Sequence, residues 1–204
     1  MKITRFVQSC LLIEDDGSRI VIDPSGEETG NNFGKLDAVL YTHEHADHFD
    51  SALTKKFMEA RVPVYANAST AKQIAGQPNV VNDGQDFSVG TFKIKVLELL
   101  HCLLTDGSEG PQNSGYLVNG KLFHPGDGKE LKDFSVDNLA LPISGPDVSL
   151  KDAFDFLKQV SAKSVVPIHY DFIGTKPEVF EMFANMHNVS VKIHILAHGE
   201  SMEV

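Results

Sequence analysis

The chain has 204 residues, 42% of them hydrophobic, enough for one domain with a sizeable core, and 18 basic against 28 acidic side chains give a formal net charge of −10. That balance, with no cluster of Lys or Arg, disfavours extended nucleic-acid binding, which needs a basic footprint. Two cysteines, Cys10 and Cys102, are too few for a disulfide framework, and no apolar run approaches membrane-spanning length or forms a cleavable leader. A soluble cytoplasmic protein with no membrane partner is expected.

Apolar runs over Ile3 to Val7, Leu11 to Glu14 and Arg19 to Asp23 read as three strands. Asp15-Asp16-Gly17-Ser18 joins the last two as a hairpin, so the third strand delivers Asp23-Pro24 at its end. Ser25 to Gly34, rich in Gly, Asn and Glu, reads as a loop. Leu36 to Tyr41 is a continuous apolar run, as in a strand buried on both faces, and it leads directly into Thr42-His43-Glu44-His45-Ala46-Asp47-His48. Leu53, Phe57 and Ala60 recur near helical spacing behind Ser51, the expected cap. Val62 to Ala66 reads as a strand, Ser69 to Ala75 as a short helix and Val80-Val81 as a strand.

Phe87 to Leu100 returns to β, with a turn at Gly90-Thr91, and ends at His101; Thr105 to Ser114 is a loop. Gly115 to Val118 and Leu122 to Phe123 form a hairpin about Asn119-Gly120 that terminates at His124-Pro125-Gly126-Asp127. Leu139 to Ile143 is a strand. Ser149-Leu150-Lys151-Asp152 then opens a helix whose Ala153, Phe156, Leu157 and Val160 share a face. Ser164 to Ile168 is a strand ending at His169. Thr175-Lys176-Pro177-Glu178 starts a helix with Thr175 as cap and Phe180, Phe183 and Ala184 toward the core, and Val191 to Ala197 closes the chain as a strand. The chain reads twice as several strands followed by α/β alternation. This predicts an α/β fold of two packed sheets with helices outside, a four-layer αββα sandwich, in one domain over residues 1–204.

Three imidazoles and a carboxylate between His43 and His48 are Lewis bases whose burial without a partner is expensive, and a metal resolves that cost. Asp23, this cluster, His101, Asp127 and His169 each follow an apolar run. Strands ending on one edge would therefore converge five histidines (His43, His45, His48, His101, His169) and three aspartates (Asp23, Asp47, Asp127). That set suffices for two metals and a shared carboxylate. His124 and Tyr170 lie beside these segments and could meet the pocket or make structural hydrogen bonds. His187, at a helix C-terminus, reads as structural; His194 and His198 read as lying on an outer strand face, and His198, beside Gly199, could reach the rim.

The signature His43-x-His45-x-Asp47-His48, with Asp23-Pro24 ahead and His101, Asp127 and His169 behind in order, resembles the metallo-β-lactamase-fold hydrolases over essentially the whole chain. The resemblance implies a first metal site of His43, His45 and His101, a second of Asp47, His48 and His169, a bridging Asp127, and a supporting Asp23. The segments Asn113-Ser114-Gly115-Tyr116, Phe123-His124-Pro125-Gly126-Asp127, Leu141-Pro142-Ile143 and Val166-Pro167-Ile168-His169-Tyr170 are similar to those of small hydrolases grouped with L-ascorbate-6-phosphate lactonase. Gln8 departs from the pattern, standing where many members have histidine. Cys102 does not fall where antibiotic-degrading members place a metal-binding thiolate, which weighs against β-lactamase activity.

Nitrogen and oxygen donors suit zinc, the default, and also manganese, iron or nickel. The expected activity is that of a dinuclear metal-dependent hydrolase, in which a metal-bridging hydroxide attacks a small lactone, ester or phosphoester. Asp47 is the candidate proton carrier and Asp23 the candidate support for catalysis. Two other readings are a mononuclear iron oxygenase of the persulfide dioxygenase type, using the first site alone, and a nucleic-acid processing nuclease of the same fold. The acidic balance and the lack of a basic arm disfavour the nuclease. The loops Ser25 to Gly34 and Thr105 to Ser114 wall the pocket without a diagnostic group, and no oligomeric state is specified.

Overall fold

The computed structural model describes residues 1–30 and 33–204. In the first of two seven-stranded sheets, β1 (Lys2–Arg5), β2 (Leu11–Asp15), β3 (Ser18–Ile22), β4 (Ala38–Tyr41), β5 (Val64–Ala66) and β6 (Asn79–Val80) lie in chain order. In the second, β7 (Asp86–Val89), β8 (Phe92–Leu99), β9 (Asn113–Val118), β10 (Leu122–His124), β11 (Phe134–Pro142), β12 (Val160–Ile168) and β13 (Lys192–Ile193) do the same. A last strand, β14 (Ser201–Glu203), returns to the first sheet beside β1. Each sheet is antiparallel over its early strands and parallel from its fourth pairing onward, β3 to β6 in one and β10 to β13 in the other. The doubling read from the sequence is therefore a doubling of topology.

Period-two alternation decides what each face packs against. Leu11 and Ile13, Ile20 and Ile22, and Ala38 and Leu40 point between the sheets, where they meet residues such as Phe92, Val118 and Val166. The intervening Leu12, Val21, Val39 and Tyr41 point outward to Phe57 and Met58 of α1 (Ser51–Glu59). On the second sheet, Leu139, Leu141 and Val165 face Ala153 and Phe156 of α3 (Leu150–Gln159) and Phe180 of α4 (Pro177–Met186). These contacts order the layers as α, β, β, α. Each fully buried Leu or Ile contributes about 1.5–3 kcal/mol, so a slip of one residue, which would exchange the faces, is strongly opposed.

Both predicted hairpins turn through two left-handed residues, Asp16 (φ +45°) with Gly17 (+82°) and Asn119 (+51°) with Gly120 (+66°), as a type I′ turn requires. The capping box of α3 forms as read, Ser149 and Asp152 each bonding the other's backbone amide. Other boundaries differ from the expectation. Asp50, not Ser51, caps α1, its Oδ1 accepting from Leu53 N at 2.6 Å. Helix α2 (Ala68–Ala71) is capped by Asn67 and is shorter than Ser69 to Ala75, because the amides of Gln73 and Ile74 bond three residues back and tighten the chain ahead of Gly76. Thr175 does not cap α4; Lys176 holds that position without a side-chain bond, and Thr175 N donates to Ser144 Oγ instead. Val160 begins β12 rather than ending α3, and Phe183 is only half-buried.

Of Val191 to Ala197, only Lys192 and Ile193 pair, with Ser164 and Val165; the chain then turns through Gly199 (φ +76°) to deliver β14. The loop read over Ser25 to Gly34 contains a 3-10 helix at Gly26–Gly30, and its Asn31 and Asn32 lie outside the described residues. Among the described residues no helix is long and apolar enough to cross a membrane.

Candidate metal centre

Strand register carries the donor groups to one edge. β3 and β4 run parallel with Ile22 beside Leu40, so Asp23 arrives next to Thr42. Asp23, left-handed at φ +51° and fully buried, accepts from Thr42 N (2.7 Å) on Oδ1 and from the Thr42 hydroxyl (2.7 Å) and His48 Nδ1 (2.8 Å) on Oδ2. β11 and β12 run parallel with Pro142 beside Ile168, so Ser144 O meets His169 Nδ1 at 2.5 Å. Beyond β8, His101 bridges to Gly128 and donates from Nδ1 to Cys102 O (2.6 Å), while Cys102 N donates to Asp127 O (2.8 Å). Asn113 Oδ1 accepts from Asp127 N at 3.1 Å, and Thr42 Oγ1 accepts from His43 Nδ1 at 3.0 Å, its own proton being committed to Asp23.

These outward bonds orient the rings. In His43, His48, His101 and His169 the Nδ1 atom is bonded away from the site, which points each Nε2 at the centre. There, His43 and His101 bring their Nε2 atoms to 3.3 Å of each other, two like groups with no proton to share. Asp127 Oδ1 lies 3.3 Å from His48 Nε2, and its Oδ2 lies 3.4 Å from His169 Nε2 and 3.7 Å from His101 Nε2. His169 Nε2 is 3.0 Å from Asp47 Oδ2.

The donors fall into three overlapping groups, His43 with His45 and His101, His43 with His48 and Asp127, and Asp47 with His48 and His169, whose ligand atoms lie within 4.8 Å of one another. His48 Nε2, His169 Nε2 and Asp127 Oδ1 are buried and make no hydrogen bond among the described residues. Such orphans are costly, and a set of inward-facing nitrogen and carboxylate donors is what a cation satisfies. The residues present fit divalent metal ions. All seven predicted ligands are in the cluster, and Asp23 stands directly behind His48.

Charge follows the same geometry. Burial holds His43 well below the usual imidazole range, helped by His48, and burial with His101 lowers His45, so both are neutral bases. Burial alone would lower His48 too, but the carboxylates of Asp127 and Asp23 override it and raise it well above that range, so a cation at Nε2 would displace a proton there. For Asp127 and Asp47 burial is likewise outweighed, by His169 and His48, and both are held well below the carboxylate range. His45 and Asp47 are half-buried and Ala46 is exposed, so this stretch forms a face of the centre open to solvent. The Cys102 thiol, pushed up to about 12 by burial and then by Asp127, belongs to none of the donor groups.

The remaining candidates lie outside the donor groups. His124 donates from Nε2 to Ser9 O (2.8 Å) and accepts from Gly126 N on Nδ1 (3.2 Å), a structural role. Tyr170 donates to Leu196 O (3.2 Å), with the Arg5 guanidinium 4.1 Å above its ring. His198 is exposed and meets Phe6 edge-on. Two glycines that the sequence reading passed over pack against ligand rings. A Cβ on Gly110 would stand 2.3 Å from His101 Nδ1, and one on Gly145 would stand 2.2 Å from His169 Cε1. Both open Gly-Pro dipeptides, Gly110-Pro111 and Gly145-Pro146, a local signal that was there to be read.

A family model for the beta-lactamase superfamily domain matches residues 2–169. The chain belongs to that superfamily. Among its relatives, Protein Rv0786c of Mycobacterium tuberculosis is 30% identical over 182 residues, covering 85% of this chain and 86% of the relative. A UPF0173 metal-dependent hydrolase of Thermus thermophilus is 30% identical over 220 residues, covering 96% of each. Among solved structures, the metallo hydrolase Igni18 of Ignicoccus hospitalis superposes with a TM-score of 0.78 at 23% identity, over 100% of this chain and 98% of that one. An isothiocyanate hydrolase from Delia radicum gut bacteria does so with a TM-score of 0.73 at 19% identity, over 100% and 99%. The two structural likenesses bear on the fold, which is that of the superfamily.

Proposed function

We propose that this metal-dependent hydrolase of the beta-lactamase superfamily works with two divalent cations, zinc by default, on a small lactone, ester or phosphoester. His43, His45 and His101 would hold one cation and Asp47, His48 and His169 the other. Asp127, with Oδ2 facing both His101 and His169, would span them. The observation that carries the reading is the convergence of seven donors, three of them with buried orphan atoms, on one small volume. When bound, such a pair supplies Lewis acidity and lowers the pKa of a coordinated water toward neutrality.

The chain's own residues do the rest. Asp23 acts through His48, locking its tautomer from behind rather than touching substrate. Asp47 is the half-buried carboxylate on the open face, where it would take the proton released by the attacking water and return it to the leaving group. A net charge of −10 favours a small substrate over a nucleic acid. The test is a panel of lactones, thioesters, phosphodiesters and isothiocyanates assayed before and after chelation. Turnover of at least one, lost on chelation and restored by zinc, is expected; dioxygen consumption with one iron per chain would overturn the hydrolase reading.

A further inference from the structure

Between β1 and β2 the chain reverses at Gln8, a buried residue in the left-handed region (φ +53°). A glutamine there needs compensation, since non-glycine residues are disfavoured in that conformation. Five hydrogen bonds supply it. Gln8 N donates to Asp171 Oδ2 (2.6 Å) and Gln8 O accepts from His169 N (2.9 Å). The side-chain Oε1 accepts from two backbone amides, Asp171 N (2.8 Å) and Phe172 N (3.3 Å). Because two donors face Oε1, the amide has one acceptable orientation, and Nε2 is left to donate to Asp47 Oδ2 at 3.2 Å. Asp171 is held in turn by the guanidinium of Arg5, which is buried and lies over the Tyr170 ring.

We infer that Gln8 is a positioning residue for the metal centre: its clamped amide fixes the direction of the Asp47 carboxylate and thereby sets the affinity of the Asp47-containing site for its cation. The same residue ties His169 through its carbonyl, so two members of one donor group hang on a single turn. The inference rests on the two-cation reading, and its test separates the two.

Metal-stripped wild type, Gln8→Glu, Gln8→Leu and Asp47→Asn proteins are titrated with zinc by calorimetry, with thermal unfolding of each recorded alongside. Gln8→Glu keeps an acceptor for the Asp171 and Phe172 amides, which preserves the turn, but sets an oxygen against Asp47 Oδ2. It should weaken the same zinc-binding step that Asp47→Asn weakens, by about 10–100-fold, the range found for residues that orient metal ligands. Gln8→Leu should do the same if it folds. Unchanged or tighter zinc binding in Gln8→Glu, with Asp47→Asn impaired, would overturn the role of Gln8 and leave the metal centre standing, as would a lowered unfolding temperature with unaltered zinc affinity. A silent Asp47→Asn would remove Asp47 from the ligand set and take the Gln8 role with it.

Discussion

Asp23→Asn probes the support of the metal centre without disturbing the backbone, because Asn tolerates the left-handed conformation that Asp23 adopts at φ +51°. The carboxylate takes three bonds of 2.7–2.8 Å, from Thr42 N, the Thr42 hydroxyl and His48 Nδ1. An asparagine can keep Oδ1 on Thr42 N, but its amide hydrogens then face the hydroxyl and the imidazole. The hydroxyl can rotate to accept. His48 can accept on Nδ1 only by moving its proton to Nε2, the atom that faces Asp127 and the site. Exchanging charge-assisted bonds for neutral ones should cost about 1–2 kcal/mol. For a chain of this size that lowers the unfolding temperature by roughly 2–8 °C. Zinc affinity should fall about 10–100-fold, since His48 no longer offers a lone pair. Thermal unfolding and zinc titration of the purified variant read both quantities. Wild-type zinc affinity in a folded Asp23→Asn protein would refute the tautomer argument, whatever the unfolding temperature.

Gly110→Ala and Gly145→Ala should each displace a ligand ring, since the added Cβ would stand at 2.3 Å from His101 Nδ1 and 2.2 Å from His169 Cε1. Both variants should fold and lose at least about 10-fold in zinc affinity, and retention of wild-type affinity would show that the loops yield more easily than the rings. Glu28 is buried and its carboxyl is pushed up to about 7 by burial, which outweighs its bond from Val7 N. A raised carboxyl pKa means the folded state binds the proton more tightly, so this stability is fully present below the unfolded value of 4.5 and is lost as pH rises through about 7. Unfolding temperatures at about pH 5.5 and pH 8 should therefore fall more in wild type than in Glu28→Gln, and equal slopes would contradict it.

Much of the candidate site was legible because its donors sit at the ends of apolar runs, and a parallel or hairpin-paired strand must deliver its terminal residue to a sheet edge. Asp23, His43 to His48, Asp127 and His169 all arrive that way, and His101 lies two residues past β8. What escaped depends on contacts between distant segments. Val191 to Ala197 has the alternation of a strand, but its ladder with β12 covers Lys192 and Ile193, with one further bond from His194 N to Val165 O, and the closing strand β14 exists because β1 offers an edge. Thr175 has the chemistry of a cap, yet its amide is taken by Ser144 and the helix starts one residue later. Asp50 was readable as a cap and lost out to its neighbour Ser51, an ordinary one-residue ambiguity. Gln8 was noticed as a departure from a pattern, but its bonds to Asp47, Asp171 and Phe172 span 39 to 164 positions of sequence and leave no local trace.

Whether the seven donors hold a pair of cations is read most directly by elemental analysis of the natively purified protein beside its His45→Ala variant. Two divalent cations per chain in wild type, with metal and hydrolytic activity lost together in His45→Ala, are predicted. A wild-type protein carrying one cation or none, or a His45→Ala protein retaining its full metal content and activity, would contradict the two-cation reading.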